Sequence, residues 1–345
     1  MQLILSDREN LKAGHKIESC STCWELEAHQ FKSFRSTQAY NPRQKMAGHA
    51  PFIVEFLIGN SCNLKCVYCN SDSSSKWGTL KKNPTMTSEI KHLLESWWQD
   101  AEFFNLIGGE PLLISTSFEI LDTLKEIALK FSSNRKKNIS IISNLAVPTR
   151  TFKNFMNKLE PYLEFFEIEI GASAESLGDQ YEYIRDGAVF DVFCENFETL
   201  IQFKGIHVSL INTLSLLTIQ GFHHFLKFFV DKLVEHEVSM SFVFNEVVFP
   251  KELSPRLFPK SLKNEAKEAL DLLQKIPPKL IRFKSHFARY LLNLAALYTS
   301  LEDRTFPEHS CEFLELSESG RLNSMSWKEC FPDLLQIKMD KMSAK

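Results

Sequence analysis

Long apolar runs are missing from this 345-residue chain, and none approaches the ~18 residues that a bilayer crossing needs. The opening residues, MQLILSDREN, turn polar after a few apolar positions, so no secretory signal is read there and a cytoplasmic location is expected. An excess of one charge is lacking too. Lys and Arg number 40 against 43 Asp and Glu, a formal net charge of −3, which argues against dedicated nucleic-acid binding. Arg135-Lys136-Lys137 is a short basic turn, not a patch. No internal repeat or low-complexity segment is found. What is present is an ordinary globular mix, 44% hydrophobic and 24% charged, which excludes a disordered or collagen-like chain. The length allows one large domain or two smaller ones.

Eight cysteines accompany this lack of an export signal. In a reducing compartment, clustered cysteines more often bind metal or do redox chemistry than form disulfides. Cys62, Cys66 and Cys69 lie close together, and Cys20 and Cys23 form a separate CxxC. Cys194, Cys311 and Cys330 are isolated, and isolated cysteines usually act as small buried hydrophobes.

Short apolar runs alternate with amphipathic ones through the middle of the chain. Phe52–Ile58, Glu102–Ile107, Asn138–Ser143, Phe165–Ala172, Ile206–Thr213 and Val238–Glu246 read as buried strands. Ser88–Gln99, Phe118–Phe131, Val189–Phe203 and Gln220–Glu235 read as helices, the second placing Ile120, Leu121, Leu124, Ile127 and Leu129 near one face. This alternation predicts an α/β chain with a parallel sheet, closed or partly closed into a barrel. An open doubly wound sheet is the alternative. After Pro250 come a proline-punctuated connection and further helical stretches. One of these puts Leu262, Ala266, Ala269, Leu270 and Leu273 on a shared face, His286–Tyr298 is another, and Lys338–Lys345 reads as a solvated tail.

The triplet forms a Cx3CxxC directly after the first strand run. Cysteine thiolates hold iron–sulfur clusters, ordinarily four to a cubane. Three on one loop leave one iron open, as a catalytic metal site requires. Strand ends are also where α/β active sites sit. The competing reading is a zinc knuckle with a fourth ligand elsewhere, although zinc favours paired CxxC or CxxC/His spacings.

A Cx3CxxC with Tyr68 before its last cysteine, after strand one of an alternating chain, resembles the radical S-adenosylmethionine (SAM) superfamily. Gly108-Gly109-Glu110-Pro111 at the end of strand two looks like that superfamily's GGEP motif, which approaches the methionine amino group of SAM. Ser143-Asn144 resembles its Thr-Asn. Ser173 and Glu175 stand where it commonly has Ser-x-Asp-Gly, and Tyr181-Glu-Tyr-Ile-Arg185-Asp-Gly resembles EYIR-x-G. The resemblance implies that Arg185 pairs with the cofactor carboxylate, that Asn212 contacts the ribose, and that Cys62, Cys66 and Cys69 hold a [4Fe-4S] cluster. It further implies a partial (β/α)6 TIM-type barrel, reductive cleavage of SAM to a 5′-deoxyadenosyl radical, hydrogen abstraction from a substrate, and an electron donor such as a flavodoxin or ferredoxin. The implied organisation is an N-terminal CxxC segment (1–50), a radical SAM core (51–250) and a mostly helical extension (251–345).

Cys20, Cys23, Glu27, Ser33 and Arg35 resemble a segment preceding the barrel in the twitch-type subgroup, with Gln30 where that pattern has glycine. An auxiliary iron–sulfur cluster, a structural zinc or free thiols remain open for Cys20 and Cys23, with Cys311 or Cys330 as further ligands. Asn245–Pro259, Phe313, Gly320-Arg321 and Phe331-Pro332-Asp333 resemble segments that follow the barrel in that subgroup, commonly assigned to peptide modification. A peptide or other bulky substrate is therefore the expectation. A non-catalytic metal-binding protein on the same fold, or a radical enzyme acting on a nucleotide or small metabolite, stands beside it. His223-His224 reads as a surface helix start rather than a ligand pair.

Overall fold

A computed structural model of the chain describes residues 6–7, 9–11, 13–28, 50–131, 135–247, 249–257, 263–282, 284, 287, 291, 294–295 and 308–343. Six parallel strands follow one another in sequence order. They are β1 (Ile53–Leu57), β2 (Phe103–Ile107), β3 (Lys137–Ser143), β4 (Phe166–Ser173), β5 (Ile206–Leu214) and β6 (Met240–Glu246). A doubly wound sheet reverses its order at a switch point. Here each strand pairs with the next, which is the order of a barrel wall. Among the described residues β1 and β6 do not pair with each other, so the wall stays open.

Helices fill the crossovers. Ahead of the sheet lies α1 (Ser21–Ala28); α2 (Ser88–Trp97), α3 (Thr116–Phe131) and α4 (Thr149–Leu159) follow β1, β2 and β3. Both α5 (Gly178–Ile184) and α6 (Phe190–Gln202) follow β4, and α7 (Phe222–His236) follows β5. The extension carries α8 (Lys263–Gln274), α9 (Glu308–Ser317), α10 (Trp327–Cys330) and α11 (Pro332–Ser343). Thr87 caps α2, its hydroxyl accepting from the Ile90 amide at 3.4 Å, which satisfies one of the orphan donors at a helix start. On α3, Ile120, Leu121, Leu124 and Ile127 share the buried face, as their spacing predicts. Leu129 falls off that face and is 58% exposed, contrary to expectation.

Side chains on the strands alternate between two environments. Ile139, Ile141, Ile168, Ile170, Val208 and Leu210 are buried under the helices. Truncating one of these to alanine would cost about 2–5 kcal/mol through lost transfer energy and the cavity left behind. The opposite face is polar. Glu55, Asn105, Ser140, Glu169 and His207 occupy one level across five strands, by direct register. None of them is buried, and Asn105 Nδ2 donates to Glu55 Oε1 at 3.3 Å. A closed barrel packs such positions with branched apolar residues. Here they form a wettable level on the open wall.

Two crossover helices, α4 and α5, lie where the sequence predicts none. Lys338 belongs to α11 and pairs with Glu315 at 3.2 Å, with Leu334 beneath it in the core, so the expected solvated tail is helix through residue 343. Ala266, Ala269 and Leu273 are buried as predicted. Leu262, most of the stretch predicted as a helix from His286, and Gln30, Ser33 and Arg35 lie outside the described residues. His223 packs its Nδ1 2.7 Å from Glu265 and 3.5 Å from Glu268, joining α7 to α8.

Candidate active site

The loop leaving β1 continues the pairing with β2 beyond the strands. Ile58 N donates to Ile107 O at 3.0 Å, Gly109 N to Gly59 O at 2.8 Å and Glu110 N to Ser61 O at 2.8 Å. Such proximity requires glycine. A Cβ on Gly109 would lie 2.1 Å from Ser61 O, and one on Gly108, whose φ is +144°, would lie 2.6 Å from Gly59 O. The resemblance implies that these glycines admit a cofactor. In the structure, the space they leave is taken by the backbone of the cysteine loop.

That loop is tied down at nearly every turn. Fully buried Asn60 donates through Nδ2 to Ser71 O at 2.9 Å and Thr79 O at 3.1 Å, and its Oδ1 accepts from Lys81 N at 2.8 Å. Ser74 Oγ donates to Leu64 O at 2.6 Å, and Trp77 Nε1 to Cys66 O at 2.9 Å. Backbone donors at both neighbours of Cys66 reach across to the end of α5 and the turn after it: Lys65 N to Asp186 O at 2.8 Å and Val67 N to Ile184 O at 3.0 Å. Arg185 therefore stands opposite Cys66. Sequence reasoning singled out neither Asn60, Trp77 nor Asp186, because their partners are distant backbone groups that no local pattern announces.

All three triplet thiols are half-buried, and burial pushes each of them up from the ordinary cysteine range. The Glu110 and Cys69 charges push Cys62 further in that direction, while the Arg185 guanidinium pulls Cys66 and Cys69 back. As bare groups they are protonated at neutral pH, and a soft metal ion is what would ionise them. Among the described residues no three His, Cys, Asp or Glu side chains are already gathered around one point. The triplet fits an iron–sulfur cluster by donor chemistry, by sharing one loop and by the cation beside it.

Glu110 is fully buried at the end of β2. Its carboxylate accepts from Ser143 Oγ at 2.7 Å, Asn144 N at 2.8 Å and Leu112 N at 3.2 Å, joining β2 to β3. Burial raises its pKa to about 7 against those three stabilising donors. Pro111 opens the short turn that follows, with Glu110 as its cap. Asn144 extends the network to the cysteine loop. Its Nδ2 donates to Asn63 Oδ1 at 3.0 Å and lies 3.9 Å from Cys62 Sγ.

Glu175 and Arg185 hold each other in a bidentate pair. Arg185 Nε donates to Glu175 Oε2 at 2.7 Å and Nη2 to Oε1, with the two side chains 8% and 1% exposed. Tyr68 is close enough to feel both charges. Ser173 closes β4, buried, opposite Ile211. Asn212 is fully buried and donates to Ala174 O at 3.2 Å, with its Oδ1 unpartnered. Cys20 and Cys23 sit half-buried at and within the start of α1. Cys311 and Cys330 are core residues of α9 and α10, and no His, Cys, Asp or Glu among the described residues gathers with any of these four as a metal site.

A profile of the radical SAM superfamily matches residues 56–229, from β1 into α7. No curated protein matches the sequence. Among solved structures, native anSMEcpe with bound AdoMet aligns at 18% identity and a TM-score of 0.46, over 64% of this chain and 59% of that one. SuiB of Streptococcus suis bound to S-adenosylmethionine aligns at 13% identity and a TM-score of 0.46, over 73% of this chain and 50% of that one. SuiB bound to the precursor peptide SuiA aligns at 12% identity and a TM-score of 0.45, over 73% and 49%. The chain thus spans between half and three fifths of the length of these proteins.

Proposed function

Because the chain belongs to the radical SAM superfamily, we propose that Cys62, Cys66 and Cys69 hold a [4Fe-4S] cluster and that SAM binds beside it. When bound, the cluster and SAM supply one-electron cleavage of the sulfonium and removal of a hydrogen atom from a substrate. The observation that carries this reading is the placement of Cys66 opposite Arg185, with Glu110, Ser143 and Asn144 joined at the neighbouring strand ends.

Each residue then has a task of its own. The Arg185 guanidinium offers charge for a carboxylate, and the Glu175 carboxylate orients it. Glu110, with Gly108, Gly109 and Pro111, keeps the β2 loop pressed on the cysteine loop and supplies an acceptor near the amino group of SAM. Ser143, Asn144 and Ser173 lie at the ends of β3 and β4, Tyr68 lies beside Arg185, and Asn212 brings an unpartnered oxygen suited to a hydroxyl. Partial burial of the thiols would limit the access of water to the cofactor. A flavodoxin or ferredoxin would deliver the electron. Cys20 and Cys23 are the second candidate metal pair.

A bulky, polar substrate such as a peptide is the class we assign. The open wall between β1 and β6 and the wettable level of Glu55, Asn105, Ser140, Glu169 and His207 support it. A closed, apolar interior would favour a small metabolite instead.

The test is iron and sulfide content with electron paramagnetic resonance on anaerobically reconstituted protein, beside a Cys62/Cys66/Cys69→Ala triple variant. About four irons, lost in the variant, with a signal that shifts on adding SAM, are expected for one catalytic cluster. About four irons surviving in the variant would belong to Cys20 and Cys23. Zinc in place of iron, or indifference to SAM, would overturn the reading.

A further inference from the structure

The segment around Arg185 is gripped from a second side, by a turn that follows α9. Arg321 donates from Nη2 to the Tyr183 carbonyl, and its guanidinium carbon lies 3.9 Å from the centre of the Tyr183 ring. The same side chain is 4.0 Å from Asp186 Oδ1, and the pair is 3% and 1% exposed. Asp186 in turn accepts from the Leu322 amide at 2.7 Å and the Asn323 amide at 3.0 Å. The turn also touches the cysteine loop directly, where Lys65 Nζ donates to the Gly320 carbonyl at 2.6 Å.

These contacts converge on one backbone joint. Lys65 and Val67 flank Cys66, and their amides donate to the carbonyls of Asp186 and Ile184, which flank Arg185. Tyr183 and Asp186, the two residues that Arg321 holds, bracket the short stretch where α5 ends. The positions of Arg185 and Cys66 relative to each other therefore depend on Arg321, although its own polar contacts run to Tyr183, Asp186 and Asn323. A planar guanidinium that is stacked, hydrogen-bonded and buried has no equivalent in another cation.

We propose that Arg321 is a positioning residue for the cofactor site. Acting through Tyr183 and Asp186, it fixes the backbone on both sides of Arg185 and, through the paired amides, the loop that carries Cys66. The inference rests on the reading of the triplet as a cluster loop. It assigns to the C-terminal extension a part in cofactor binding, where the resemblance linked these segments only to peptide modification.

Arg321→Ala, Arg321→Lys and Asn323→Ala in the full chain test this beside wild type. In the unloaded protein, hydrogen exchange at the Lys65 and Val67 amides should quicken roughly tenfold in Arg321→Ala while β3 and β4 stay protected. In reconstituted protein, iron content should hold near about four, SAM should bind roughly tenfold more weakly, and the SAM-induced change in the paramagnetic signal should shrink. Arg321→Lys should recover only part of that loss. Should Arg321→Ala fail to fold, Asn323→Ala, which leaves the stacked guanidinium in place, carries the same comparison with an expected loss of roughly threefold. SAM affinity and spectral response equal to wild type in the folded variant overturn this inference alone. Wild-type protein that takes up no iron or ignores SAM overturns the functional reading and this inference together.

Discussion

Cys66 and Arg185 stand opposite each other across two backbone hydrogen bonds, at 2.8 and 3.0 Å, made by the residues on either side of them. The thiol proposed to carry metal and the guanidinium proposed to meet an anion are thereby held in one joint. Arg185 is also fully engaged with buried Glu175.

Removing one partner of that buried pair leaves the other charge unsolvated. Arg185→Ala should therefore lower stability by about 3–5 kcal/mol. A Glu175→Gln/Arg185→Met double variant should lose less than Arg185→Met alone. Urea melts of the four proteins measure the difference, and equal losses in the single and double variants would contradict the pairing as the source.

Gly109 has no room for a methyl group, since the added carbon would meet Ser61 O at 2.1 Å. Gly109→Ala must push the β2 loop off the cysteine loop. We expect a loss of about 1–3 kcal/mol together with lower iron uptake, read by thermal melting and iron analysis. Unchanged melting and uptake would show that the two loops are not in register.

Glu110 gives the chain a pH dependence of definite sign. Its folded pKa is raised from the ordinary 4.5 to about 7. Between those values the folded chain keeps a proton that the unfolded chain has released, so stability falls as pH rises through that window. The contribution is about 3 kcal/mol over the whole range. Glu110→Gln has no proton to lose, and its melting temperature should fall less than wild type between pH 5 and roughly 7.5. Identical slopes for the two proteins would count against the assignment.

Free thiols pushed upward by burial react slowly. In iron-free protein near neutral pH, Cys62, Cys66 and Cys69 should alkylate roughly tenfold slower than a cysteine in an unfolded peptide, and faster as pH rises. Cys66 should be slowest, because its burial is the most complete. Peptide mapping by mass spectrometry reads the rates, and rapid neutral-pH labelling at Cys66 would oppose this picture.

The strands were legible because parallel strands buried beneath helices appear as short apolar runs ending in turn residues, as at Ile58-Gly59-Asn60, while their order was not, because the same runs suit a doubly wound sheet. The triplet and its companion motifs were legible because their residues are local in sequence. Other features were hidden for identifiable reasons. Helix α5 is short and begins at Gly178, with no cap for a pattern to catch. Lys338 and its neighbours have the composition of a tail, yet Leu334 anchors their helix to the core. The mutual pairing of Glu175 with Arg185 was hidden because both residues resemble cofactor ligands, and only the folded chain shows each engaging the other. The grip of Arg321 on Tyr183 joins positions 138 apart, beyond the reach of any periodicity.

Lys65 depends on a carbonyl 255 positions downstream. Proteins emerge from the ribosome N-terminus first, and the sheet can assemble from residues that appear early. The turn that braces the cysteine loop appears after all six strands. Assembly of the loop is consequently ordered in time: a nascent chain that stops short of Gly320 displays three thiols on a loop without this brace. The brace thus enters the order of assembly after the strands and the cysteine loop that it holds.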